Sequence, residues 1–213
     1  MSGTSREGVI KFQLDFQEGS APVADLLHEL NAWRSIFLQL GLVGQDPARY
    51  QGYGFGNLSR RLDKDSFLIS GTQTGHLAEL SAQDYSIVLA CDPFRNSVTA
   101  CGQAKPSSEA LSHGALYQAN PAISWIMHLH SPEIFHSSDR LGLYKTSPDA
   151  DYGTPEMAAE IKQAVATLDT EMGLFVMGGH EDGILAYGTS AVETGLLVLK
   201  TLVQAREEGS FSD

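Results

Sequence analysis

The chain has 213 residues, 42% hydrophobic and 19% charged, enough to bury one core of ordinary size and far from the composition of a disordered segment. Its 14 Lys and Arg against 26 Asp and Glu give 14 − 26 = −12, which argues against a nucleic-acid or anionic-membrane partner, since either needs a basic footprint. The polar residues 1–8 lack the apolar core of a secretory signal, and no run reaches the ~20 apolar residues of a membrane helix, so a cytoplasmic protein with a small-molecule partner is expected.

In chain order, Ile10, Phe12, Leu14 and Phe16 alternate with polar residues and predict a half-buried strand, as an extra sheet edge or an oligomer contact. Leu26, Leu27, Leu30, Trp33, Phe37 and Leu40 recur at helical spacing, and Gly41 is placed to stop that helix. Residues 67–70 and 86–90 read as strands separated by a turn-rich loop. Cys91 and Cys101 could face each other across a hairpin, but two thiols in such a chain are expected to be free. Residues 108–118 read as a helix with Ser107 or Ser108 as its cap. Strands follow at 123–130, 174–177 and 183–187, with helices at 155–167 and 190–207. Short turns between strands favour a mixed or antiparallel sheet over a doubly wound parallel one.

Within strand 123–130, the run His128-Leu129-His130 puts two imidazoles on one face, because side chains alternate with a period of two. A third histidine, His180, sits on the turn between two later apolar runs. A histidine pair and a sequence-remote third match the three protein ligands common in catalytic zinc sites.

Six motifs in order, Gly56-Asn57-Leu58-Ser59, Leu68-Ile69-Ser70-Gly71-Thr72-Gln73-Thr74-Gly75, Pro106-Ser107-Ser108-Glu109, His128-Leu129-His130, Gly153-Thr154-Pro155-Glu156 and the His180 turn into Gly183-Ile184-Leu185-Ala186, resemble the class II aldolase/adducin family over about residues 25–206. The resemblance implies an α/β fold: a three-layer α-β-α sandwich whose central, mostly antiparallel sheet is flanked by helices. It implies one domain, here taken over 1–213, and the strand that alternation predicts at about 9–16 precedes the region of resemblance as an N-terminal addition. It further implies a metal-dependent lyase acting on a small hydroxy-carbonyl compound, a sugar phosphate first, through a metal-stabilised enediolate. An epimerase, isomerase or dehydratase on the same metal site is the alternative, and a non-catalytic adducin-like interaction module the third reading.

Carried onto this sequence, the resemblance makes His128, His130 and His180 the ligands of a divalent metal. Zinc comes first, because an all-nitrogen, three-ligand set suits it. Glu109 becomes the proton carrier beside the metal. Asn57, Thr74, Gly75, Ser107 and Ser108 become the phosphate-binding positions, where glycine admits close approach and a helix N-terminus offers free N–H groups. Aldolases of the family are homotetramers with sites at subunit contacts, so a homo-oligomer is expected.

Two departures stand out. Glu181 and Asp182 intervene between His180 and Gly183, so alignment on Gly183 would put Asp182 at the third ligand position unless a tight bulge restores His180. The family's aldolases also carry a tyrosine that reaches a neighbouring site, and here the run from 131 to 152 offers only Tyr144 and Tyr152. His113, four residues after Glu109, could hydrogen-bond that carboxylate, though a partly exposed helix histidine is the expectation.

Overall fold

A stripe of Leu30, Arg34 and Phe37 makes His28–Gln39 (α1) a helix with one buried face. It ends as Gly41 predicts: Gly41 takes φ 69°, the Leu42 N–H bonds the Phe37 carbonyl at 2.9 Å and the Gly41 N–H that of Leu38 at 3.1 Å, the paired bonds of a Schellman stop. The computed structural model describes residues 8–209. The other elements are the strands Gln13–Glu18 (β1), Gly44–Gln45 (β2), Gly54–Phe55 (β3), Asn57–Arg61 (β4), Phe67–Ser70 (β5), Tyr85–Asp92 (β6), Ser97–Gly102 (β7), Trp125–His130 (β8), Gly173–Val176 (β9) and Gly183–Gly188 (β10). The remaining helices are Ala110–Ala119 (α2), Pro132–His136 (α3), Pro155–Leu168 (α4) and Ala191–Gly209 (α5).

Eight strands form one sheet in the order β1-β7-β6-β5-β4-β8-β10-β9, while β2 and β3 pair separately. Every pairing in the large sheet is antiparallel except β1 with β7. Alternation sorts its side chains onto two cores. Phe67, Ile69, Ile126, Phe175, Leu185 and Tyr187 face α2 and α4, whereas Leu68, Met127, Leu129, Leu174, Ile184 and Ala186 face α1, α3 and α5. The result is the expected helix–sheet–helix sandwich. Met157, Ile161 and Val165 recur at intervals of four along α4 and are buried, each contributing about 1.5–3 kcal/mol by leaving water. No described helix is long and apolar enough to cross a membrane.

Several local expectations shift. The N-terminal strand lies at Gln13–Glu18 and closes one sheet edge, and its apolar face is not left for a partner: Phe12 is buried and Leu14 and Phe16 pack on the chain's own core. The two thiols are free as expected: Cys91 pairs across the β6–β7 ladder with Val98 and Cys101 with Ile87, so they do not meet. Neither serine caps α2 by side chain: Ser107 Oγ instead accepts the Glu109 N–H at 3.2 Å, one residue before the helix begins.

Candidate metal centre

Strand β8 has Ile126, His128 and His130 on the face toward α2 and α4, and stops at His130 because Ser131 caps and Pro132 opens α3. The β10 strand lies antiparallel beside it, with Gly183 opposite His130, so the turn before β10 delivers His180 to the same place. All three histidines are buried and their ligand nitrogens lie within 4.8 Å of one another. The Nε2 atoms of His130 and His128 are 3.2 Å apart, and those of His180 and His130 2.9 Å.

The donor set fits a divalent ion on its own geometry. The His128 Nδ1–H donates to the Ile184 carbonyl at 3.1 Å, which leaves its lone pair on Nε2, and the His130 ring is hydrogen-bonded to the Glu181 backbone. Burial, followed by the field of His180, holds both His128 and His130 well below the usual imidazole range, so they are neutral and ready to ligate. Two zinc–nitrogen bonds of ordinary length at a tetrahedral angle set their nitrogens about 3.3 Å apart, close to the spacing seen.

His180 reaches this cluster and Asp182 does not. The Gly183 N–H bonds the His180 carbonyl at 2.9 Å in a tight turn, with Asp182 at φ 58°, a left-handed position aspartate tolerates. The two extra residues are absorbed there, and the Asp182 carboxylate turns outward to accept the Tyr50 hydroxyl at 2.8 Å.

Glu109 is buried at the mouth of α2, its Oε1 3.8 Å from His180 Nδ1. The five proposed phosphate positions gather around the ends of β4 and β5. Asn57 stands opposite His128 in the ladder, with its Oδ1 buried and without a hydrogen-bond partner among the described residues. The loop after β5 is tied to the run before α2 by Thr72 N–H to Lys105 O at 3.0 Å and Ser107 N–H to Ser70 O at 3.1 Å. Ser107 and Ser108 are buried, and the Thr74 hydroxyl donates to Gly71 O at 2.9 Å. Gly75 has a steric duty as well: a Cβ there would run into the Gly44 carbonyl and approach Gly54 Cα to 2.8 Å. Lys105 is exposed.

Other residues escaped the sequence reading. His113 is wholly buried, not partly exposed, and its Nδ1 lies 2.7 Å from the Ser59 hydroxyl, which is itself 2.8 Å from the Tyr117 hydroxyl. Ser59 shares a face with Asn57 two residues earlier, the one signal that could have found it. Buried Arg34 gives its guanidinium to the carbonyls of Thr74, Leu77 and Ala78 at 3.1, 2.8 and 3.2 Å, shaping the loop after β5. The Tyr152 and His180 rings meet nearly perpendicular with centroids 4.6 Å apart, and Lys11 Nζ sits 3.6 Å from the centre of the Tyr152 ring. Tyr152 is buried within its own chain.

A buried three-histidine centre beside a carboxylate, carried on an antiparallel sheet between helical layers, defines a class of metal-binding α/β protein. Residues 48–200 match the model of the class II aldolase and adducin N-terminal domain, and the chain belongs to that family. A 3-oxo-tetronate 4-phosphate decarboxylase of Haemophilus influenzae is 37% identical over 100 residues, which cover 47% of this chain and 44% of that one. The chain thus aligns with less than half the length of that curated relative. Among solved structures, YgbL of Escherichia coli is 25% identical with a TM-score of 0.63, covering 89% of this chain and 90% of that one. An L-fuculose-1-phosphate aldolase of Thermus thermophilus is 18% identical with a TM-score of 0.64, covering 86% and 92%, and shares the fold.

Proposed function

We propose that this chain is a metal-dependent lyase that breaks a carbon–carbon bond beside the carbonyl of a small phosphorylated hydroxy-carbonyl compound. The observation that carries the reading is the convergence of three imidazole nitrogens next to the buried Glu109. His128, His130 and His180 would hold a divalent ion, zinc first, which when bound polarises a substrate carbonyl and stabilises negative charge growing on its oxygen. Glu109, whose side chain is buried, would hold a proton at Oε1 or Oε2 and deliver it to carbon, or take it. Asn57, Thr74, Gly75, Ser107 and Ser108 would fix the phosphate through hydroxyl, amide and backbone donors.

Within that class, loss of carbon dioxide from a phosphorylated 3-oxo acid is the finer reading. The decarboxylase relative supports it, and the packing of Tyr152 against His180 of the same chain is in keeping with it. Cleavage of a 3-oxo acid leaves its electron pair on carbon 2, conjugated with the carbonyl, and needs one proton there, which Glu109 can supply. Epimerisation or dehydration uses the same metal and carboxylate. We also propose a homo-oligomer, a tetramer first, now on a different surface: α5 presents Val192, Leu196 and Val203 at 53%, 53% and 56% exposure along one stripe.

The test is to load the protein with zinc and offer a phosphorylated 3-oxo acid and a ketose 1-phosphate, following carbon dioxide and aldehyde separately. Carbon dioxide release that falls at least ~100-fold in Glu109→Gln, at unchanged zinc content, is the expected outcome. A zinc-loaded protein inert toward both compounds, or full activity in Glu109→Gln, would overturn it.

A further inference from the structure

Between α1 and β4 the chain adopts a conformation that costs energy and that the metal ligands do not require. Tyr50, Gln51 and Gly52 have φ of 48°, 59° and 79°, and a left-handed aromatic residue costs on the order of 1–2 kcal/mol, so something must hold it. The Tyr50 hydroxyl donates to Asp182 Oδ2 at 2.8 Å and accepts from Arg49 Nη2 at 2.7 Å, and its ring meets the His130 ring edge-on at 4.6 Å. The Arg49 guanidinium lies 4.9 Å from the Tyr50 ring centre and 4.6 Å from that of Phe55. The strained turn therefore pins one arginine in place.

That arginine lines an open cavity of about 370 Å3 together with His130, the end of α1 and the start of α3. A guanidinium carries five N–H donors, and Arg49 gives two, to Gly41 O at 2.9 Å and to the Tyr50 hydroxyl, so 5 − 2 = 3 remain. No described carboxylate lies within ion-pair distance of it. Glu133, on the same cavity, is committed to Arg206 at 3.1 Å and to the Ser131 hydroxyl at 3.2 Å. Of the three histidines only His130 lines that cavity, and the charge of Arg49 already acts on it; a divalent ion held at His130 and this guanidinium would repel each other, and an anion between them would relieve that cost. The phosphate cradle proposed above lies after β5 and ahead of α2, so the anion at Arg49 is a different group.

We propose that Arg49 reads the carboxylate of the substrate, held in position by Tyr50 and Asp182, so that the substrate is a phosphorylated oxo or hydroxy acid and not an uncharged-ended sugar phosphate. This rests on the lyase reading and names the residue that recognises the acid end of its substrate. A planar fork with free donors matches a carboxylate in two-point contact, which lysine cannot reproduce. Asp182 then has a role of its own, because the carboxylate brought in by the lengthened His180 turn anchors the tyrosine that aims the arginine.

The experiment measures binding to the zinc-loaded protein by calorimetry, with malonate as the carboxylate probe and inorganic phosphate as the other anion. Arg49→Met should weaken malonate at least ~10-fold, Arg49→Lys should recover less than a third of that loss on a logarithmic scale, and phosphate should change less than ~3-fold, with zinc content intact. Malonate weakened by less than ~3-fold overturns the proposal, as does phosphate weakened in its place or a wild-type protein that binds phosphate and no malonate. Tyr50→Phe, which keeps the ring on His130 and removes the hydroxyl, should weaken malonate by a smaller factor, and no change there removes the positioning role. Because binding is read and not turnover, a catalytically inert protein that still loses malonate in Arg49→Met would sink the reaction and keep the carboxylate site.

Discussion

The most direct consequence of the three-histidine geometry is a large difference in stability between the metal-free and metal-loaded protein. The Nε2 atoms of His128 and His130 stand 3.2 Å apart and those of His180 and His130 2.9 Å, and the Nδ1–H of His128 is spent on a carbonyl. Three buried imidazoles so placed offer their nitrogens to one cation only in the folded chain, so the ion would bind the folded state and not the unfolded one. A ligand that binds only the folded state, present at 1,000 times its dissociation constant, adds about 4 kcal/mol. For a chain of this length each kcal/mol moves the melting temperature by roughly 2–4 °C, so zinc should raise it by about 8–16 °C. Differential scanning calorimetry of the chelator-stripped protein, with and without zinc, reads the increment directly. In His130→Ala the increment should collapse to within ~3 °C, whatever the variant's own melting temperature, because two ligands hold the ion far less well than three. An undiminished increment in His130→Ala, or none in the wild type, would refute the reasoning.

Three further outcomes follow from neighbouring features. Burial pushes His113 down to about 3 from an ordinary 6.5, so below pH 6.5 the unfolded chain takes a proton that the folded one refuses, and stability falls as pH falls through that window. Denaturant midpoints between pH 7 and 4.5 should fall more steeply for the wild type than for His113→Gln, by on the order of 1 kcal/mol per pH unit, and equal slopes would contradict the assignment. Gly75→Ala should weaken inorganic phosphate binding and lower the melting temperature together, since the added methyl meets the Gly44 carbonyl, and a neutral result by calorimetry would show that the loop can give. Leu196→Glu on the exposed α5 stripe should shift light scattering toward smaller species, and an unchanged mass would place the subunit contact elsewhere.

The helices and strands of this chain were largely legible because periodicity is local. Gly41 announced the end of α1 by its need for positive φ, and the alternation in β8 put His128 and His130 on one face before any neighbour was known. Spacing and motif order also singled out His180 and Glu109. What a one-dimensional reading could not decide is what lies behind each side chain. His180 and Asp182 are two residues apart, and only the closure of β9 against β10 shows the imidazole turned in and the carboxylate turned out toward Tyr50. His113 looked like a helix-surface histidine until α2 was seen packed on the sheet, where Ser59 from a distant strand meets it. The edge strand with an apolar face looked short of a partner until the α4 layer was seen to share its core. Arg49 and Tyr50 carried no motif at all. Their place beside His130 depends on three consecutive left-handed residues stabilised by contacts from sequence positions 41, 55 and 182, and such a conformation is set by tertiary contacts because local preference opposes it.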